Sequence, residues 1–201
     1  MIEIVLDGGS RRHVLLGGLV VGAALAGLLT ALGRPAAAQA PSPEQDERIL
    51  NFLLNLEYLQ SAFYAEADSP GTLDGELAAF ARVVGKHEQR HVERLKRLLG
   101  DGANPAPELD LEDVTSDEDA FLEAAIVLEE TGASAYIGQA PNLTVEGVTA
   151  VAPLVSVEAR HAAWILAIAG RNPAPAPADP AATVAGVQSA FERAGLVPPS
   201  G

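Results

Sequence analysis

Glu88-Gln89-Arg90-His91 and Glu158-Ala159-Arg160-His161 are the stretches of this chain whose residue types and spacing are best suited to chemistry. In each, a carboxylate and an imidazole stand three positions apart, so on a helix both project from one face about a turn from each other. Their faces are otherwise apolar, with Val84, Leu95 and Leu98 around the first pair and Leu154, Ile165 and Ile168 around the second. Ionisable groups on a buried stripe are unfavourable without partners, and a divalent cation would partner both at once. His91 and His161 are two of the three histidines beyond position 40; the third, His87, reads as a surface residue on a different face from Glu88 and His91.

The elements that must position these groups are helices. Ser42-Pro43 with Gln45 forms a capping box opening helix one, which runs to 67, ahead of Ser69-Pro70-Gly71; its stripe Leu50, Leu53, Leu54, Ser61, Tyr64 carries Glu57 in the middle. Helix two spans 73–99 and stops at Gly100. The polar, Pro- and Gly-containing stretch 100–115 is too long for a tight turn and implies a crossing to the far end of a bundle. Ser116 is expected to cap helix three, which ends at 137 before Gly138 and has the inner stripe Leu122, Ala125, Ile126, Glu129, Ala133, Tyr136. Helix four, capped by Thr144, covers 145–169 and tolerates Pro153 only as a kink. A stiff Pro/Ala linker, 171–179, leads to a short helix from Asp179-Pro180 to Ala194, which packs through Val184, Val187 and Phe191.

An internal repeat selects the candidate ligands. Leu56-Glu57 is followed seven residues later by Tyr64, and Leu128-Glu129 at the same distance by Tyr136; each half then supplies Glu-x-Arg-His. This register favours Glu129 over its neighbour Glu130, which is the fallback. A lone Glu, a Glu-x-x-His, a lone Glu and a second Glu-x-x-His on four successive long helices form the di-metal carboxylate arrangement, here Glu57, Glu88, His91, Glu129, Glu158 and His161. Four carboxylates and two neutral imidazoles balance two divalent ions. Oxygen and nitrogen donors favour iron or manganese, with zinc compatible. Tyr64 and Tyr136 read as core aromatics first and as hydrogen-bond donors to the ligands second. Arg90 and Arg160, at repeat-matched positions, are candidates to neutralise the acidic centre when metal is absent.

With Ile49 to Leu59, Phe63-Tyr64, Glu88 to His91, Leu128 to Gly132, Ala135-Tyr136 and Val157 to His161, the chain resembles the exported ferritin-like domain family that includes desiccation-related proteins. The resemblance covers roughly residues 43–170. It implies an all-α, ferritin-like four-helix bundle with a long crossover between helices two and three, plus a short C-terminal helix. It also implies bridging roles for Glu88 and Glu158, terminal roles for Glu57 and Glu129, and one imidazole per metal from His91 and His161. Such a centre would act on dioxygen or peroxide; the alternative is a stress-related structural protein with a silent or stabilising metal site. Storage of iron in a hollow shell is a third, weaker reading.

Composition sets the outer limits. A net charge of -14 disfavours nucleic acid and anionic lipid as partners and leaves cations as the better ones. There is no cysteine, so thiolate ligands and disulfides are excluded. Residues 1–40 read as an export signal: Ser10-Arg11-Arg12 precedes an uncharged apolar run, and Ala38-Gln39-Ala40 offers a cleavage site. The signal is twin-arginine-like, although Val14 and Leu16 depart from the usual motif. The expected organisation is therefore signal, bundle at 41–170, linker at 171–179, and C-terminal helix and tail at 180–201. The protein would be periplasmic or extracellular, off the membrane once cleaved and anchored if uncleaved, with homo-oligomerisation open.

Overall fold

The computed structural model describes residues 40–67 and 72–198. The expected signal at 1–40, apart from its last residue, and the Ser69-Pro70-Gly71 turn lie outside the described residues. Those residues hold α1 (Pro43–Ala67), α2 (Gly75–Leu99), α3 (Glu112–Thr115), α4 (Glu118–Gln139), α5 (Val145–Ile168) and α6 (Val184–Arg193), and no strand. The long helices α1, α2, α4 and α5 form the bundle. α1 packs on α2 and α4 on α5, and the two pairs meet through α1–α4 and α2–α5 contacts.

Two different devices tie α1 to its neighbours. Gly85 lets α2 lie directly on α1: a Cβ there would come within 2.9 Å of the Cβ of Tyr64. Between the pairs, Asp46 of α1 accepts from the Thr144 backbone N–H at 2.9 Å, while the Thr144 side chain accepts from Gly147 N–H at 3.1 Å and so caps α5. α5 continues through Pro153, whose missing N–H weakens the local ladder; Arg94 of α2 donates to the nearby Ala150 carbonyl at 2.9 and 3.2 Å.

The crossing between α2 and α4 is pinned across α1. Asn51 donates to the Gly102 carbonyl and accepts from Asn104 N–H, and the Tyr58 hydroxyl donates to the Asn104 carbonyl. Leu111 and Val114 then anchor it in the core through α3, a single turn that the sequence reading left inside the connection.

Four further expectations need correction. Asp117, not Ser116, caps α4, because its side chain accepts from the N–H groups of both Asp119 and Ala120. Gly138 does not end that helix. It stays within the helix, and its missing side chain admits the C-terminal segment that crosses there: the Ala182 N–H bonds the Ser134 carbonyl at 2.9 Å, and a Cβ on Gly138 would lie 1.9 Å from the Ala182 carbonyl oxygen. The last helix starts at Val184 under a Thr183 cap instead of at Pro180, and Val184 is half exposed while Val187 and Phe191 are buried. At the first helix, Ser42 caps through Gln45 N–H, but the Gln45 side chain turns away to the Asn142 carbonyl, so only half of the capping box forms.

Candidate metal centre

Glu57 projects from α1, Glu88 and His91 from α2, Glu129 from α4, and Glu158 and His161 from α5, all inward and at mid-length. The four glutamates are 0 % exposed, and His91 and His161 are buried. Apolar neighbours above and below fix their height: Leu53, Leu54, Val84, Leu128 and Ile165 are all fully buried. Leu98, expected on the same stripe as Glu88, is exposed, while Leu95 is buried and Leu99 packs against the core in its place. Glu130 is exposed and points away, so the repeat register and the fold agree on Glu129 as the inward residue.

The six side chains make two overlapping groups. Glu57, Glu88, His91 and Glu158 offer donor atoms within 4.8 Å of one another, as do Glu88, Glu129, Glu158 and His161; Glu88 and Glu158 stand in both. The His91 Nδ1 lies 3.3 Å from Glu57 Oε2, 3.0 Å from Glu88 Oε2 and 2.9 Å from Glu158 Oε1. The His161 Nδ1 lies 3.0 Å from Glu88 Oε1 and 3.4 Å from Glu129 Oε2.

The tyrosines complete a reciprocal pattern. Tyr64 of the first half donates to Glu129 of the second at 2.5 Å, and Tyr136 of the second donates to Glu57 of the first. Each lone glutamate thus has one oxygen held by a tyrosine and the other turned inward. Tyr64 also belongs to the aromatic core, meeting Phe63, Phe80 and Phe121 edge to face.

Confinement distorts the proton affinities. Burial, reinforced by the charge of Glu88, pushes the Glu57 carboxyl up to about 8; burial, reinforced by Glu57, pushes Glu158 up to about 7. Burial opposes charge on the histidines, but hydrogen bonds to Glu158, Glu57 and Glu88 outweigh it and raise His91 to about 12. Glu129 and Glu88 do the same for His161, to about 10. Without metal, the imidazolium ions are the countercharges of the cluster. Arg90 and Arg160, expected in that role, are exposed.

Even so, Glu57 Oε2, Gln60 Oε1, Glu88 Oε1, Glu129 Oε2, Glu158 Oε1 and His161 Nδ1 are buried without a hydrogen bond of acceptable geometry, although each of the four carboxylate oxygens lies 2.9–3.4 Å from the Nδ1 of His91 or His161. Buried polar atoms are nearly always satisfied, so four carboxylate oxygens converging on only two imidazole nitrogens leave the cluster short of protein partners. Residues 45–171, well over half of the chain, match the family described as ferritin-like domain. The chain belongs to the ferritin-like domain family. A search of curated proteins found no match. Four-helix members of this fold carry their metal-binding carboxylates and imidazoles in the bundle core, where the buried Glu/His groups of this chain stand and could bind metal ions.

Two residues of the site escaped the sequence reading. Gln60 is 1 % exposed and its amide donates to Glu158 at 3.3 Å and, weakly, to Glu129 at 3.5 Å. Its signal was positional: three residues after Glu57 and four before Tyr64, it shares their face. His87, expected at the surface, is half-buried with its Nδ1 2.9 Å from the Nε2 of His161. It stands four residues before His91, a spacing that brings the two close around the helix.

Proposed function

We propose that the cluster is a two-metal carboxylate centre holding two divalent ions, iron or manganese with zinc compatible, in an exported ferritin-like protein that consumes dioxygen or peroxide. The observation that carries this reading is the convergence of one unpartnered oxygen from each of four buried glutamates on two imidazoles. Glu88 and Glu158, present in both donor groups, would be shared by the ions; Glu57 with His91 and Glu129 with His161 would complete one ion each. The all-oxygen-and-nitrogen donor set fits these metals and lacks the thiolates that softer ions prefer.

Two such ions would supply activation of dioxygen or peroxide. The chain's own residues do the rest. Tyr64 and Tyr136 hold the outer oxygens of Glu129 and Glu57, leaving the inner ones free for a cation. The six residues line neither of the two larger surface clefts, of about 330 and 400 Å³, while a smaller one of about 140 Å³ reaches Tyr64, the partner of Glu129. Only small species would reach the centre, and a reductant would act from the surface.

That closure also favours a second reading, a stress- or desiccation-related structural role in which metal only stabilises the bundle. Consumption of dioxygen or hydrogen peroxide by iron- or manganese-loaded protein, with ascorbate as reductant and Glu88→Ala/Glu158→Ala as the blank, separates the two. Consumption above the blank supports the centre as reactive. Bound metal with a raised melting temperature and no consumption supports the structural role.

A further inference from the structure

The repeat that matches the two halves fails at a position touching the ligands. Gln60 follows Glu57 by three residues; the residue three after Glu129 is Gly132. The glycine makes the glutamine's position available: a Cβ at 132 would lie 3.1 Å from Gln60 Nε2 and 3.3 Å from Glu158 Oε2. The amide therefore enters the cluster from one side only.

The ligand geometry shows the consequence. Glu88 places one oxygen 3.0 Å from each histidine's Nδ1. Glu158, its counterpart in the repeat, reaches only His91, at 2.9 Å, while its other oxygen accepts from Gln60 at 3.3 Å. The same amide leans on the Glu129 oxygen that Tyr64 holds. His91 thus faces three carboxylates and His161 two.

We propose that Gln60, admitted by Gly132, makes the two metal positions unequal, so that the position of His91 fills first and the position of His161 binds its ion more weakly and exchanges it. This rests on the two-metal reading above. The physical reason is competition. An amide N–H presents the positive end of a dipole to an oxygen that a cation would otherwise use, and that hydrogen bond must be broken or bent when the ion enters. His161 itself remains aimed at the glutamates, because His87 holds its far nitrogen. The position of His161 is thereby kept available but weak.

The test is anaerobic calorimetric titration of the purified protein with manganese(II). The protein should bind two ions in separate steps, the second about tenfold weaker or more, the size of one hydrogen bond to a charged group given up as the ion enters. Gln60→Met, which keeps the side-chain length but removes the donor, should tighten the second step by about tenfold and leave the first within about twofold. Gln60→Ala provides the same comparison should the methionine repack the site. In a His161→Ala background the Gln60→Met gain should vanish, and in His91→Ala it should persist. A residue that only oriented the carboxylates would weaken binding when replaced. Equal steps in the parent protein, or weakening of both by Gln60→Met, would overturn this proposal and leave the centre standing. No bound manganese at all would overturn the centre and the proposal together.

Discussion

The first half of the bundle, α1 with α2, and the second, α4 with α5, agree where charge must be placed and disagree almost everywhere else. Glu57 matches Glu129, Tyr64 matches Tyr136, Glu88 matches Glu158 and His91 matches His161, and each tyrosine serves the glutamate of the opposite half. Around these points Gly85 stands against Val155, His87 against Val157 and Gln60 against Gly132. Ligand geometry tolerates little variation, whereas helix packing has many solutions of equal volume. The matches therefore mark the glutamates, histidines and tyrosines that both halves need, while the mismatches mix a packing position, Gly85, with residues that touch the cluster from one half only, Gln60 and His87.

The largest effect should come from a position with no symmetric duty. Gly138→Ala places a methyl on the Ala182 carbonyl, a backbone neighbour that cannot rotate aside, and should displace the C-terminal segment at a loss of about 3 kcal/mol. Urea denaturation would measure it, and limited proteolysis at 171–183 should accelerate. Next, Tyr64→Phe and Tyr136→Phe each remove one bond to a buried glutamate and should each lower stability by about 1–3 kcal/mol. Near-equal losses would confirm the reciprocity of the halves; a loss in one alone would break it.

The metal-free cluster also makes a prediction with a sign. Glu57, Glu158, His91 and His161 all hold protons more tightly folded than unfolded, so raising the pH costs the folded state. The glutamates' contribution is complete below about 4.5, the ordinary carboxyl value, and is lost as pH rises through about 7 for Glu158 and about 8 for Glu57. That of the histidines is complete below 6.5 and is lost through about 10 for His161 and about 12 for His91. Melting temperature without metal should therefore fall steadily from pH 5 to 9. With metal bound, the cations replace these protons and the fall should flatten. The smallest effect concerns helix starts: Thr144→Ala should lower stability by about 1 kcal/mol, whereas Asp74→Ala, at the uncapped start of α2, should change little in the same denaturation assay.

Much of the fold was legible because the bundle helices are long, periodic and bounded by polar or glycine-containing turns. The repeat made Glu129 readable over Glu130, since only one of two adjacent residues can face inward. What stayed hidden was set by tertiary contact. Gly138 looks like a helix stop until the crossing chain at Ala182 is seen, and Asp117 competes with Ser116 on equal local terms. Val184 lies on an apolar stripe at the exposed start of its helix. Gln60 looked like an ordinary polar residue on a helix, and its burial follows from a glycine 72 positions away on another helix. His87, expected on a face apart from Glu88 and His91, lies at i-4 from His91, and its partner His161 comes from another helix, which no local pattern shows.

The central claim is that the buried glutamates and histidines exist to hold two ions. Elemental mass spectrometry on protein loaded anaerobically with iron and manganese in competition, then desalted, tests it most directly. The account predicts close to two ions per chain, and none in the Glu88→Ala/Glu158→Ala protein, which removes both shared carboxylates. Two ions retained by that double variant, or none bound by a well-folded parent, would contradict it.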